Sequence, residues 1–431
     1  MENTRMKRTI CCVKGMRSRY LLLLSVLLLL LTGCGGAPAK KQGAPLVVAR
    51  QGYVYSLTPT DFTVYQVPLA SGKSPLFHQS LQTNLRSRIV SRVGGGVYLA
   101  MDGALSAWTQ GKQVWMTPIN DEVQAMTATA RTVFLVTSQQ VLSLNAVTGK
   151  PIWQQEYATG GLFASQVCVI VLSSLVIVAQ GENVQAFDAV TGQTRWAMLL
   201  PTAGDGEIIT SVTGAGTTVV FCTGTALVAV NILTGQTRWQ QDDQALLSSV
   251  SEDGATLYLP FQETPRISLE NGSQSHTQTG VEAVNLLSGV VQWRDIFALK
   301  ATEMGTVTNQ YLCWISTDGT MTTWRLSDGK QLWHTTRRVH PVAFTVNLFD
   351  QSVVVQDNQG EVDSLALFDG STQWRHVGSV KDLATGTIQI DAHAIYVLDA
   401  NTLHALPHSG GRDIWSLTLN TPMQWDIESF A

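Results

Sequence analysis

The chain carries the pair Gly-x-x-x-Trp eight times, at a spacing that leaves few folds open. The pairs are Gly111/Trp115, Gly149/Trp153, Gly192/Trp196, Gly235/Trp239, Gly289/Trp293, Gly329/Trp333, Gly370/Trp374 and Gly411/Trp415. With 36 Gly and 12 Trp in 431 residues, random placement gives about one such pair, so eight mark a repeat. The intervals between successive glycines are 38, 43, 43, 54, 40, 41 and 41 residues. Thr-Gly-Gln-Thr-Arg-Trp recurs unchanged at 191–196 and 234–239.

A second pattern precedes each glycine. Val141–Asn145, Val184–Asp188, Leu227–Asn231 and Val281–Asn285 alternate apolar residues at period two and end in Asn or Asp. A Thr-Gly or Ser-Gly step follows, which reads as strand, tight turn, strand. Glycine supplies the positive φ that such a turn requires. A further apolar strand lies upstream in the copies, for example Leu175–Ala179 and Thr218–Cys222. Four short strands in about 41 residues make one propeller blade, while the β-branched alternation contradicts helical repeats of the same period. The expected fold is all-β: a single β-propeller over 46–431 with eight four-stranded blades. The strands of 46–70 are expected to pair with C-terminal strands, closing the ring and removing its open edges. Ser71–Leu76 looks like a degraded ninth turn. The long interval contains the polar stretch 261–280, expected as a loop insertion.

The units resemble the pyrroloquinoline-quinone (PQQ) type, or quinoprotein-like, blade, in which a strand ending Ala-x-Asp-x-x-Thr-Gly is followed by Trp; residues 184–196 match it closely. The resemblance covers roughly residues 45–425. It implies two kinds of function: quinoprotein dehydrogenases that bind PQQ with calcium at the ring centre, and non-enzymatic lipoproteins such as the propeller subunit of the machinery assembling outer-membrane barrels.

One indole per blade suits the wedge between neighbouring blades, with the small glycine of an adjacent turn admitting its face. Trp115, Trp153, Trp196, Trp239, Trp293, Trp333, Trp374 and Trp415 are therefore expected to be blade-docking residues. The alternative is an aromatic ligand-binding belt.

Residues 1–33 have the form of a lipoprotein signal peptide. A basic region precedes the apolar run Leu21–Leu31, which is too short for the roughly 20 residues of a membrane span. Leu31-Thr32-Gly33-Cys34 resembles the bacterial lipobox, so Cys34 is the expected lipid attachment site and 34–45 a flexible tether. Acyl chains contribute roughly 0.8 kcal/mol per buried methylene, enough in combination for a durable anchor. The chain is expected outside the cytoplasm on a bacterial membrane.

Without the leader, 22 basic and 31 acidic side chains leave a net charge of −9, which argues against nucleic acid. Cys168, Cys222 and Cys313 are odd in number and irregular in placement, so they read as small buried hydrophobes. No nucleophile elbow, phosphate loop or Cys-x-x-Cys is present. His404-x-x-x-His408 has metal spacing only on a helix, and Pro407 interrupts it. Asn145, Asp188, Asn231 and Asn285 recur once per blade and belong to the turns. No catalytic, cofactor or metal site is assigned. The leading expectation is a non-catalytic scaffold that binds another protein through loops on one propeller face. A PQQ/calcium-dependent dehydrogenase and an envelope polysaccharide-binding module are the rivals. The vicinal cysteine pair of the quinoprotein enzymes has no counterpart outside the leader.

Overall fold

A computed structural model describes residues 46–419 apart from 51, 59–60, 69–74, 82–87, 93–94, 102, 158–166, 201–208, 210, 224–225, 242–248, 251–253, 264–277, 297–302, 309, 317–318, 337–339, 379–386 and 400–401. The leader, Cys34, the tether and most of the 261–280 insertion lie outside the described residues.

Among the described residues the strands form nine four-stranded antiparallel sheets, each built from consecutive strands. Blades 1 to 9 span 46–80, 88–118, 125–156, 167–199, 211–241, 249–296, 303–336, 341–376 and 387–418. In each, strand a is innermost and strand d outermost. In blade 4 these are Val167–Leu172, Leu175–Gln180, Asn183–Asp188 and Thr194–Leu199. The a strands of successive blades touch from blade 1 through blade 9.

Strand b of blade 4, Leu-Val-Ile-Val-Ala-Gln, is buried along its whole length. A blade is flanked by a blade on each side, so both faces of its inner strands are covered and apolar runs replace alternation. Strand d lies at the rim, and in blade 3 Pro151–Glu156 is almost wholly exposed or half-buried.

The blade count exceeds the expected eight by one, and closure differs. Leu46–Arg50, Tyr53–Leu57, Asp61–Gln66 and Phe77–Ser80 pair only with one another, as blade 1. The ring closes by side-chain packing: Ala49, Val54, Tyr65 and Val67 of blade 1 share a core with Tyr396, Leu403, Ala405 and Leu417 of blade 9. Residues 71–74 of the expected ninth turn lie outside the described residues, and the strands on either side, Asp61–Gln66 and Phe77–Ser80, pair to complete a sheet of their own.

The insertion begins and ends in strand. Thr256–Glu263 and Gln278–Asn285 pair over eight residues, so blade 6 has a longer hairpin than its neighbours.

Candidate functional site

The c–d turns of blades 3 to 6 are built the same way. In blade 3 the Asn145 carboxamide oxygen accepts N–H bonds from Val147 and Thr148, both at 2.9 Å, and the Gly149 N–H donates to the Asn145 carbonyl at 2.8 Å. Asp188, Asn231 and Asn285 hold blades 4, 5 and 6 in this way. These side chains fold the turn back on itself, which Asn and Asp do best. The turn glycines have φ near +70°.

The turn glycine of one blade lies against the tryptophan of the blade before it. A Cβ on Gly149 would stand 2.5 Å from the Trp115 ring, and one on Gly192 2.6 Å from Trp153. Gly235 meets Trp196, Gly289 meets Trp239, Gly329 meets Trp293, and Gly370 meets Trp333. Each indole N–H also donates to a backbone carbonyl in the next blade. Trp115 reaches Ala146 at 3.2 Å, Trp153 Ala189 at 3.1 Å, Trp196 Ile232 at 2.6 Å and Trp239 Leu286 at 3.0 Å. Trp293, Trp333 and Trp374 donate to Leu326, Leu367 and His408. The cross-strand partner of every repeat tryptophan is small: Ala107, Ser143, Ala186, Ala229, Ala283, Thr323, Ser364 and Ala405. This leaves the indole free to lean onto the neighbouring blade.

Three details depart from the repeat as read in the sequence. Only Trp196 and Trp333 are buried; the other six are half-buried, because strand d forms the rim. In blade 9 the glycine on Trp374 is Gly410, whose Cβ would stand 2.3 Å from the ring, while Gly411 has nothing within 4 Å. Blade 1 has no tryptophan, and Gly111 of blade 2 meets Leu76 and Tyr53 instead. Trp415 packs against the blade 1–blade 9 core, at the ring closure.

Antiparallel strands place the a–b and c–d turns on one face of the ring and the b–c turns on the other. On the first face the residue two positions after the turn Asn or Asp is apolar and more than half exposed: Val147, Val190, Leu233 and Leu287. Phe368 takes the same place in blade 8, and Phe349 extends from that blade's a–b turn. The b–c turn of blade 4, Gly181-Glu182, is polar. Isolated exposed apolar residues are ordinary; here they recur at one turn position on one face.

The polar clusters are accounted for differently. Asp357, Glu361 and Asp363 line a shallow pocket between blades 7 and 8 with Pro341 and Met321. Asp363 accepts from Arg375 at 2.8 Å, and Arg375 lies 3.6 Å from Glu361. Asp357 accepts N–H bonds from Gln359 and Glu361, and burial pushes its carboxyl above the usual range. These carboxylates are engaged by an arginine and by turn amides. In blade 6 the buried Glu282 pairs with Arg294 at 2.6 Å, and Arg294 also stacks on Phe261. His404 and His408 do not converge: His408 lies against Asn347 and Phe349, whereas His404 bonds Asp413 at 2.6 Å. Cys168, Cys222 and Cys313 are buried and in no disulfide, and burial pushes the Cys313 thiol up to about 12.

Comparison with known proteins bears on this geometry. No curated protein sequence matches the chain. The solved structure of BamB from Moraxella catarrhalis is 16% identical over 76% of this chain and 97% of that one, with a TM-score of 0.46. The computationally designed Ika8 protein is 13% identical, covering 89% of this chain and 100% of its own, at a TM-score of 0.51. The dihydro-heme d1 dehydrogenase NirN, in complex with DHE, is 13% identical over 84% of this chain and 78% of its own, at 0.52. At these identities the two latter structures share the propeller fold with this chain. A family model described as outer membrane protein assembly factor BamB matches residues 50–278 and 277–430, nearly the whole propeller. The chain therefore belongs to the BamB-type family of PQQ-like β-propellers.

Proposed function

We propose that this chain is a non-catalytic protein-interaction scaffold, tethered outside the cytoplasm to a bacterial membrane through a lipid on Cys34. The observation that carries the reading is the arc of apolar turn tips, Val147, Val190, Leu233, Leu287, Phe349 and Phe368, on one face of the ring. Their backbones are already fixed by Asx turns and turn glycines, so a partner meets a surface that loses little freedom on binding. Apolar and aromatic side chains held this way can act as anchor residues. Membership of a family described as an outer-membrane assembly factor supports an envelope role, and the lipobox supports the tether. Among the described residues, Asp357, Asp363 and Glu282 are already bonded to turn amides or arginines, which does not favour their use as the convergent oxygen set of a quinone–calcium centre.

The test is affinity capture of the lipidated chain from membranes, in parallel with a Leu233→Asp/Phe368→Asp variant that keeps the fold by circular dichroism. The scaffold reading expects a co-purifying protein that the variant loses at least tenfold. Equal recovery with both chains would overturn the assigned face.

A further inference from the structure

His376, His404 and Asp413 come together at the seam between blades 8 and 9. His376 ends strand d of blade 8, Thr372–His376; His404 lies in strand c of blade 9, Thr402–Leu406; Asp413 lies in the turn that follows. One potential ligand atom from each falls within 4.8 Å of the others. The His404 Nδ1 stands 2.6 Å from one Asp413 oxygen, and the His376 Nε2 stands 3.7 Å from the other. The two imidazoles are 5.8 Å apart, and all three side chains are mostly shielded from solvent.

The repeat explains why they meet. A residue two places after a tryptophan shares its face and points at the next blade. Thr117 and Gln241 hold this place in blades 2 and 5, and each donates to the carbonyl of the next blade's turn glycine, Gly149 and Gly289. His376 reaches the blade 9 turn with Nδ1, 3.4 Å from the carbonyl of Gly411, one residue past the docking Gly410, and its Nε2 faces Asp413. His404 precedes the cross-strand partner of Trp415, so its face looks back at blade 8. In blades 6 and 8 that register position holds Glu282 and Asp363, each bonded to the arginine across from it on strand d. In blade 9 the residue across from His404 is Ser416, which brings no charge. Two buried atoms of the cluster, His404 Nε2 and Asp413 Oδ1, have no hydrogen-bond partner. Buried polar atoms without partners are costly, and a cation held between His376 Nε2, His404 Nδ1 and Asp413 would give Asp413 Oδ1 a partner.

We propose that His376, His404 and Asp413 bind one divalent transition-metal ion, clamping blade 8 to blade 9. Two imidazoles and a carboxylate suit zinc-class ions and are poor ligands for calcium or magnesium. Zinc–nitrogen bonds of about 2.0–2.1 Å place tetrahedral ligand atoms about 3.3 Å apart. Separations between 2.6 and 4.8 Å reach that by small side-chain rotations. The His376 Nδ1–carbonyl contact is the kind of outer support that orients a ligating imidazole. Three protein ligands leave a fourth position for water.

The experiment is zinc titration of the untagged full-length chain by calorimetry after chelator treatment, with cobalt absorbance as a second readout. One Zn2+ per chain is expected. His404→Asn and Asp413→Asn, chosen to keep size and polarity, should each weaken binding by more than about 100-fold, since loss of a ligand exceeds the 10–100-fold cost of losing a group that merely orients one. His408→Asn should bind zinc as the parent chain does. Circular dichroism identifies any variant that fails to fold, and a His376→Gln chain then takes its place. Absence of zinc uptake by the parent chain, or uptake unchanged in folded His404→Asn, would overturn the site.

Discussion

The indole of Trp153 in blade 3 lies against Gly192 in blade 4 and donates its N–H to Ala189 at 3.1 Å. The same contact joins blade to blade around most of the ring, with φ near +70° at the glycine. Size and backbone conformation thus both demand glycine there.

Replacing Trp153 by Ala should destabilise the chain by about 2–3 kcal/mol, below the 3–5 of a fully buried indole because this one is half-buried. Gly192→Ala should cost about 2–3 kcal/mol through clash and left-handed strain together. Urea midpoints read both. A change below about 0.5 kcal/mol in either would mean that this contact does not hold the seam.

Blade 9 offers an internal control. Gly410 and Gly411 both have positive φ, but only Gly410 touches Trp374. Gly410→Ala should therefore be less stable than Gly411→Ala by about 1–2 kcal/mol. The reverse order in thermal melts would restore Gly411 as the docking glycine.

Asp188 gives a pH signature. The Arg195 guanidinium at 2.6 Å and the Thr191 and Val190 amides hold its carboxyl well below the usual carboxylate range. A depressed native pKa contributes stability above the unfolded value of about 3.9, lost as pH falls toward the native value. Asn, already used at 145, 231 and 285, keeps the turn bonds and removes the charge. Asp188→Asn should be less stable than the parent by no more than about 1 kcal/mol at pH 7, because Arg195 is half-exposed, and the gap should close below about pH 4. A gap that widens on acidification would contradict the assignment.

The scaffold reading also sets an expectation for quinone chemistry. Incubation with PQQ and calcium should give neither stoichiometric uptake nor dye-linked alcohol or sugar oxidation. One-to-one binding with turnover would replace the scaffold with the dehydrogenase.

Most of the architecture is legible in the sequence because glycine and tryptophan are each irreplaceable at their places. Blade 1 was hidden because Leu76 and Tyr53 meet Gly111 where other blades offer an indole. The docking glycine of blade 9 was displaced by one because Gly410-Gly411 is a doublet, and spacing to the tryptophan cannot say which glycine touches the previous blade. The His376–His404–Asp413 cluster was missed because its members sit on different strands and only blade packing joins them. The available signal was positional: a histidine two after one repeat tryptophan, and another just before the cross-strand partner of the next. The apolar tips were present in the sequence as well, but a strand reading assigns apolar residues to the core, and only the turn geometry turns Val190 and Leu233 outward.

The claim that partners dock on the a–b and c–d turn face is tested most directly by site-specific photo-crosslinking in intact cells. The probe is placed at Val190 or at Glu182, two exposed turn positions of blade 4 on opposite faces. A discrete protein adduct from position 190 and none from 182 is the predicted result. Adducts from 182 alone, or none from either, would contradict a protein-binding face built on the apolar turns.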